Sequence, residues 1–166
     1  MQVFSVPSTN SVEMLARKMK QFRGKSYVDV GFIAGVHATN IPNIRSLVKS
    51  GVAGFKCWLG DPEVRDIKPV DVTSLEQIMR ELNNSDCTLH IEANLAGRDE
   101  EVDDDASPTD YQTYLDSKPD SIEVAAVKTV LEAMHNSSSD VKCHINNVAS
   151  GAVCEIIKAR RMHTSN

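Results

Sequence analysis

The lysine in Gly54-Phe55-Lys56-Cys57-Trp58-Leu59 stands in a hexapeptide whose other members are apolar or small. Burying an ammonium there would strip its hydration, and desolvation favours the neutral, nucleophilic amine. The same lysine at a strand end also reads as an ordinary cation, paired with an acid or reaching water along its methylene stem. His90, in Leu89-His90-Ile91-Glu92, is either a hydrogen-bonded strand-end histidine or a metal ligand. Asn147, in His144-Ile145-Asn146-Asn147-Val148-Ala149-Ser150, offers a carbonyl oxygen, a donor that suits hard cations better than zinc. His144 precedes it by three positions, so alternation along a strand would turn the two to opposite faces. His37, in Gly35-Val36-His37-Ala38-Thr39-Asn40, falls in a strand-to-helix loop and is a ligand contact or loop structure. Ser150 is a helix cap or a substrate-side hydroxyl, and Glu123 suits the positive end of a helix dipole.

These residues need a scaffold, and the apolar pattern supplies one. Short, nearly continuous apolar runs at Tyr27 to Ala34, Ala53 to Leu59, Thr88 to Ala93 and Val141 to Val148 read as strands covered on both faces. Between them lie helical stripes. Ile41, Ile44, Leu47 and Val48 make one, closed by Gly51; Leu75, Ile78, Met79 and Leu82 make another, with a capping box in Thr73-Ser74-Leu75-Glu76. Val124, Val127, Leu131 and Met134 make a third after Ser121 as N-cap, and Val153, Ile156 and Ile157 a fourth running into Lys158, Arg160 and Arg161. A helix from about Val12 to Phe22 comes first. Residues 95–119 read as a loop insertion, with six acids in the seven positions from Asp99 to Asp105: a solvated loop, or a cation or partner site.

The 166 residues, 41% of them hydrophobic, suffice for a single domain over 1–166. A net charge of -5 argues against a nucleic-acid partner, and no apolar run approaches a membrane span. Cys57, Cys87 and Cys143 sit beside strand-like residues with no C-x-x-C pair, as reduced core thiols do. With no signal core at the start, the expectation is a soluble, cytoplasmic protein.

The hexapeptide around Lys56 resembles the G-F-K-x-[FW]-[LM] strand of the cyclic amidohydrolases, a family that includes allantoinase, dihydroorotase and hydantoinase. Tyr27-Val28-Asp29-Val30-Gly31-Phe32 resembles the Y-V-D-V-G-F strand of allantoinases, Met1 to Thr9 their M-P-L-N-S-x-P-P-T stretch, and Tyr111 to Ala126 their aromatic segment, basic-Pro pair and helix-start glutamate. His90 and Glu92 are similar to the family's H-A-E. These matches run in order along the whole chain.

The resemblance implies an α/β fold, a partial (β/α)8 TIM barrel of about four βα units with a preceding helix. It implies hydrolysis of the ring amide of allantoin, with zinc as cofactor. The family bridges two metals with a carbamylated lysine, here Lys56, and adds an H-x-H pair, one histidine from each of two later strands, and an aspartate. His90 takes the place of one later histidine. Asn147 stands where the H-I-V-H-L-S-S element has the other. The H-x-H pair would precede Met1 and the aspartate would follow Asn166, so the expectation is a truncated chain with an incomplete or absent zinc site, inactive alone. A rival expectation is a non-catalytic module for binding or assembly. Self-association is expected either way, since four strands cut from a closed barrel leave two open edges.

Overall fold

A computed structural model describes residues 5–62, 66–95, 107 and 109–163, with side chains to Arg160. The acidic run at 99–105 lies outside the described residues. Four parallel strands, β1 (Ile33–Gly35), β2 (Gly54–Trp58), β3 (Thr88–Glu92) and β4 (Lys142–Asn146), pair in sequence order. Six α-helices accompany them among the described residues: α1 (Val12–Phe22), α2 (Ile44–Lys49), α3 (Val72–Leu82), α4 (Tyr111–Asp116), α5 (Asp120–Ser137) and α6 (Gly151–His163). A 3-10 turn at Ala38–Asn43 leads into α2. With a strand order that never reverses, crossovers of one hand place the connecting helices on one face of the sheet, where α3 packs against α2 and α5, and α5 against α6. That is the wall of a (β/α)8 barrel, and about four βα units of it are present.

The helix-covered face holds the core. Ala34, Phe55, Cys57, Leu89 and Ile91 are fully buried with Leu47, Leu75, Ile78, Met79 and Leu82, and with Ala126, Val127, Val130 and Ala133 of α5. Burial pushes the Cys143 thiol up to about 11 and that of Cys57 further still. All four cysteines are free thiols. Gly51 (φ +84) ends the α2 turn as a left-handed C-terminal residue. Lys18 of α1 donates to the hydroxyls of Ser5 and Thr9, pinning the leading segment against that helix.

The strands are not apolar on both faces. The opposite face carries Lys56, His90, Glu92, His144 and Asn146, so β3 alternates between buried and half-buried residues. The first strand is also shorter than the run Tyr27 to Ala34 implies. A strand can pair only as far as its neighbour extends: Gly54, the first residue of β2, is the register partner of Ile33, and Ala53 N adds one bond to Phe32 O at 2.8 Å. Tyr27 and Val28 precede that reach and are exposed, with the Ser26 hydroxyl on Val28 O at 2.6 Å.

Two cap assignments shift for local reasons, and one helix forms where a loop was expected. α3 starts at Val72 because the Asp71 carboxylate accepts from Ser74 N at 2.7 Å, and a charged acceptor outcompetes the Thr73 hydroxyl. α5 starts at Asp120, with Pro119, which has no N–H to leave unpaired, at its cap and Ser121 inside its first turn. The segment read as a loop at 95–119 contains α4, whose Asp110 cap accepts from Gln112 N at 3.0 Å.

Candidate functional site

The polar face of the sheet is built by register. Lys56, His90 and His144 are Cα partners across β2, β3 and β4, so their side chains leave the sheet in one row. Two residues further on, Trp58, Glu92 and Asn146 make a second row on the same face, at the strands' C-terminal ends, where barrel enzymes keep their sites. Gly54 makes the first row possible. A Cβ there would lie 2.8 Å from Thr88 O, and its absence leaves space beside the His90 ring, 3.6 Å from that position.

Lys56 Nζ lies 3.0 Å from Glu92 Oε2, and both side chains are largely buried. The same ammonium is 5.0 Å from the centroid of the Trp58 ring, a cation–π distance. Trp58 in turn packs in a small buried cluster with Ile67, with Ile33 alongside. The His90 and His144 rings are 5.3 Å apart. Burial, then the nearby His144 and Lys56, hold the His90 pKa below its ordinary value, so its imidazole is neutral at neutral pH.

Asn147 and His144 do not face apart. β4 ends at Asn146, and Asn147 takes a left-handed conformation (φ 57) that breaks the alternation. Its amide nitrogen thereby turns to the polar face and donates to Glu92 Oε1. The turn is fixed from outside: Glu123, in the first turn of α5, accepts from Ala149 N and Ser150 N, each at 3.0 Å. The Ser150 hydroxyl is buried without a hydrogen bond and caps nothing. A cleft of about 300 Å³ opens between these strand ends and α5, lined by Glu92, Asn147, Lys118 and Glu123 among others.

His37 stands apart from this group. Its backbone N–H donates to Asn40 Oδ1 at 2.8 Å and its Nδ1 meets the Thr39 hydroxyl at 3.2 Å. Asn40, absent from the sequence-based candidates, is the hub there, donating to Gly35 O at 2.9 Å and Asn10 O at 3.1 Å. His144 and Glu92 were also understated as site residues. The signal was present: Thr88-Leu89-His90-Ile91-Glu92 and Lys142-Cys143-His144-Ile145-Asn146 share a His-Ile pair, and the sheet registers His on His and Ile on Ile.

The donor set does not fit a two-metal centre. Among the described residues no three of His, Cys, Asp and Glu gather as metal ligands. The Lys56 nitrogen is engaged by Glu92, and Asn147 presents an N–H donor to the site.

Strand order and helix placement together define a segment of a (β/α)8-type barrel. L-hydantoinase from Arthrobacter aurescens superposes on 98% of the chain with a TM-score of 0.82 at 19% identity, the chain covering 36% of it. A D-hydantoinase structure covers 92% of the chain at a TM-score of 0.70 and 17% identity, and the chain covers 34% of it. By sequence, the chain resembles allantoinases over nearly its whole length. It is 36% identical over 160 residues to the mitochondrial allantoinase of Aquarana catesbeiana, covering 95% of this chain and 32% of that protein. The allantoinase of Saccharomyces cerevisiae is 30% identical over 97% of the chain, and that of Arabidopsis thaliana 30% over 95%, the chain covering 35% and 31% of them. The chain thus spans about a third of the length of the curated relatives it matches. No family model matches it.

Proposed function

We propose that the chain belongs to an allantoinase-type lineage, whose reaction adds water to the ring amide carbonyl of allantoin and breaks its C–N bond, and that this chain is inactive alone. The reading is carried by the similarity to allantoinases along 95% of the chain. A metal pair, where an amidohydrolase holds one, supplies hydroxide at neutral pH and stabilises charge on the carbonyl oxygen. Of the zinc ligands the resemblance implies, Lys56 and His90 share one row, while Asn147 replaces the third with an amide donor.

Two measurements test this. Turnover of allantoin by the purified chain, with zinc and bicarbonate added, should be undetectable, and elemental analysis should find less than one tightly bound zinc per chain. Turnover that Lys56→Ala abolishes, or two metals per chain, overturns the inactivity. A rise in melting temperature with millimolar allantoin but not with hydantoin or dihydroorotate supports the substrate class; equal responses overturn it.

The chain should also self-associate, since β1 and β4 each have one strand neighbour among the described residues and an open edge recruits another strand. Sedimentation at micromolar concentration should show a species larger than 18.2 kDa; a well-folded monomer overturns the edge argument. No described helix is long and apolar enough to cross a membrane. A cytoplasmic setting is supported by four free cysteines, which a reducing compartment maintains; cell fractionation decides between that and an organelle.

A further inference from the structure

We propose that Glu92, oriented by Asn147, holds Lys56 in an ion-pair clamp that ties β2, β3 and the β4–α6 turn together. Lys56 is then a structural cation in this chain and not a metal-bridging carbamate.

Three neighbours carry the inference. Glu92 uses both carboxylate oxygens, Oε2 on the Lys56 ammonium at 3.0 Å and Oε1 on the Asn147 amide. The carboxylate is therefore fixed in position beside the lysine nitrogen. Trp58 presents its ring 5.0 Å from the same nitrogen. The negative face of an aromatic ring attracts a cation and repels an anion. Carbamylation would first take one proton from the ammonium, then form an N–C bond between the neutral amine and carbon dioxide and release a second proton. It would thus exchange a positive charge for a negative one, against a carboxylate and over a π face, with no cation among these three contacts to offset the repulsion.

Asn147 is the residue that selects this arrangement. Its left-handed backbone (φ 57) carries the side chain back over the polar face, and an amide nitrogen at that place is a donor. A donor orients Glu92, whereas an imidazole bound to a metal through its lone pair would have none to offer from that atom. Glu123 steadies the turn behind it through Ala149 N and Ser150 N. β2, β3 and the turn after β4 are thereby linked on the face that the helices do not cover, through a largely buried Lys56–Glu92 pair and an exposed Asn147 amide.

The clamp rests on these contacts and on the proposed lineage only for the comparison with a carbamate. Wild-type chain equilibrated with 13C-bicarbonate, with and without zinc, should show no carbamate carbonyl resonance that Lys56→Arg removes. Thermal unfolding supplies the second arm. Lys56→Met and Glu92→Gln should each lower Tm by about 4 °C or more, the double variant should fall no further than the worse single, and Lys56→Arg should stay within about 2 °C of wild type. Asn147→Ala should give a smaller loss in the same direction. A Lys56-dependent carbamate resonance overturns the clamp, as do additive losses in the double variant. An allantoin response bears on the lineage alone, so either reading can fail without the other.

Discussion

Phe55 and Lys56 are sequence neighbours that face opposite sides of one sheet. Phe55 is fully buried among Leu47, Leu75, Ile78 and Met79, held by close packing with no polar requirement. Lys56 is fixed by a carboxylate, an aromatic face and strand register. The helix-covered face derives its stability from excluded water, which is indifferent to the direction of each contact. The polar face depends on directed contacts, and these fail when one partner is removed. The difference explains why substitutions one residue apart should behave differently.

The largest effect belongs to the packed face. Phe55→Ala should cost about 3–5 kcal/mol, because the cavity it leaves cannot be refilled between a sheet and helices already in contact. Chemical denaturation measures it, and a loss below about 1 kcal/mol would show that this face is not close-packed. Gly54→Ala comes next, at about 1–3 kcal/mol, since its new Cβ would meet the Thr88 carbonyl oxygen 2.8 Å away. Because the contact is with backbone, only β2 or β3 can yield, and the His90 ring should shift with it in an NMR spectrum.

Acid should weaken the site-side loop more gently. Burial, and then Lys68, hold the His37 pKa below its ordinary 6.5. The unfolded chain therefore binds its proton first, so the contribution is full above 6.5 and is lost as pH falls through the folded value. Tm should decline between neutral pH and the acid side of that value, and His37→Gln should flatten the decline; an unchanged slope would remove His37 from the account. The smallest effect is expected at His144→Gln. His144 is exposed, and its contact with His90 is a tilted ring pair, so stability should move by no more than about 0.5 kcal/mol. A larger loss would extend the directed network of Lys56, Glu92 and Asn147 to the edge strand.

Much of this protein was legible residue by residue. Apolar runs and helical stripes marked four strands and their helices, and Gly51 marked a helix end, because periodicity and backbone freedom are local properties. Lys56, His90 and Asn147 stood out by type and by their resemblance to the cyclic amidohydrolases. Other features depended on chain segments far apart in sequence. The first strand stops short because its length is set by the reach of β2, which no local propensity encodes. The cap of α3 is a local exception, where the Asp71 carboxylate, two positions upstream of Thr73, outcompetes that residue's hydroxyl.

The site shows the division most clearly. Sequence placed a lysine, a histidine and an asparagine on strands and named the family whose barrel they resemble. It could not bring Glu92 to Lys56 or turn Asn147 towards them. Those contacts require parallel register between strands separated by whole helices, and a left-handed residue whose direction follows from where β4 ends. Side-chain alternation is local, but the charge that each side chain meets is decided by its neighbours across the sheet, and only the folded chain supplies those.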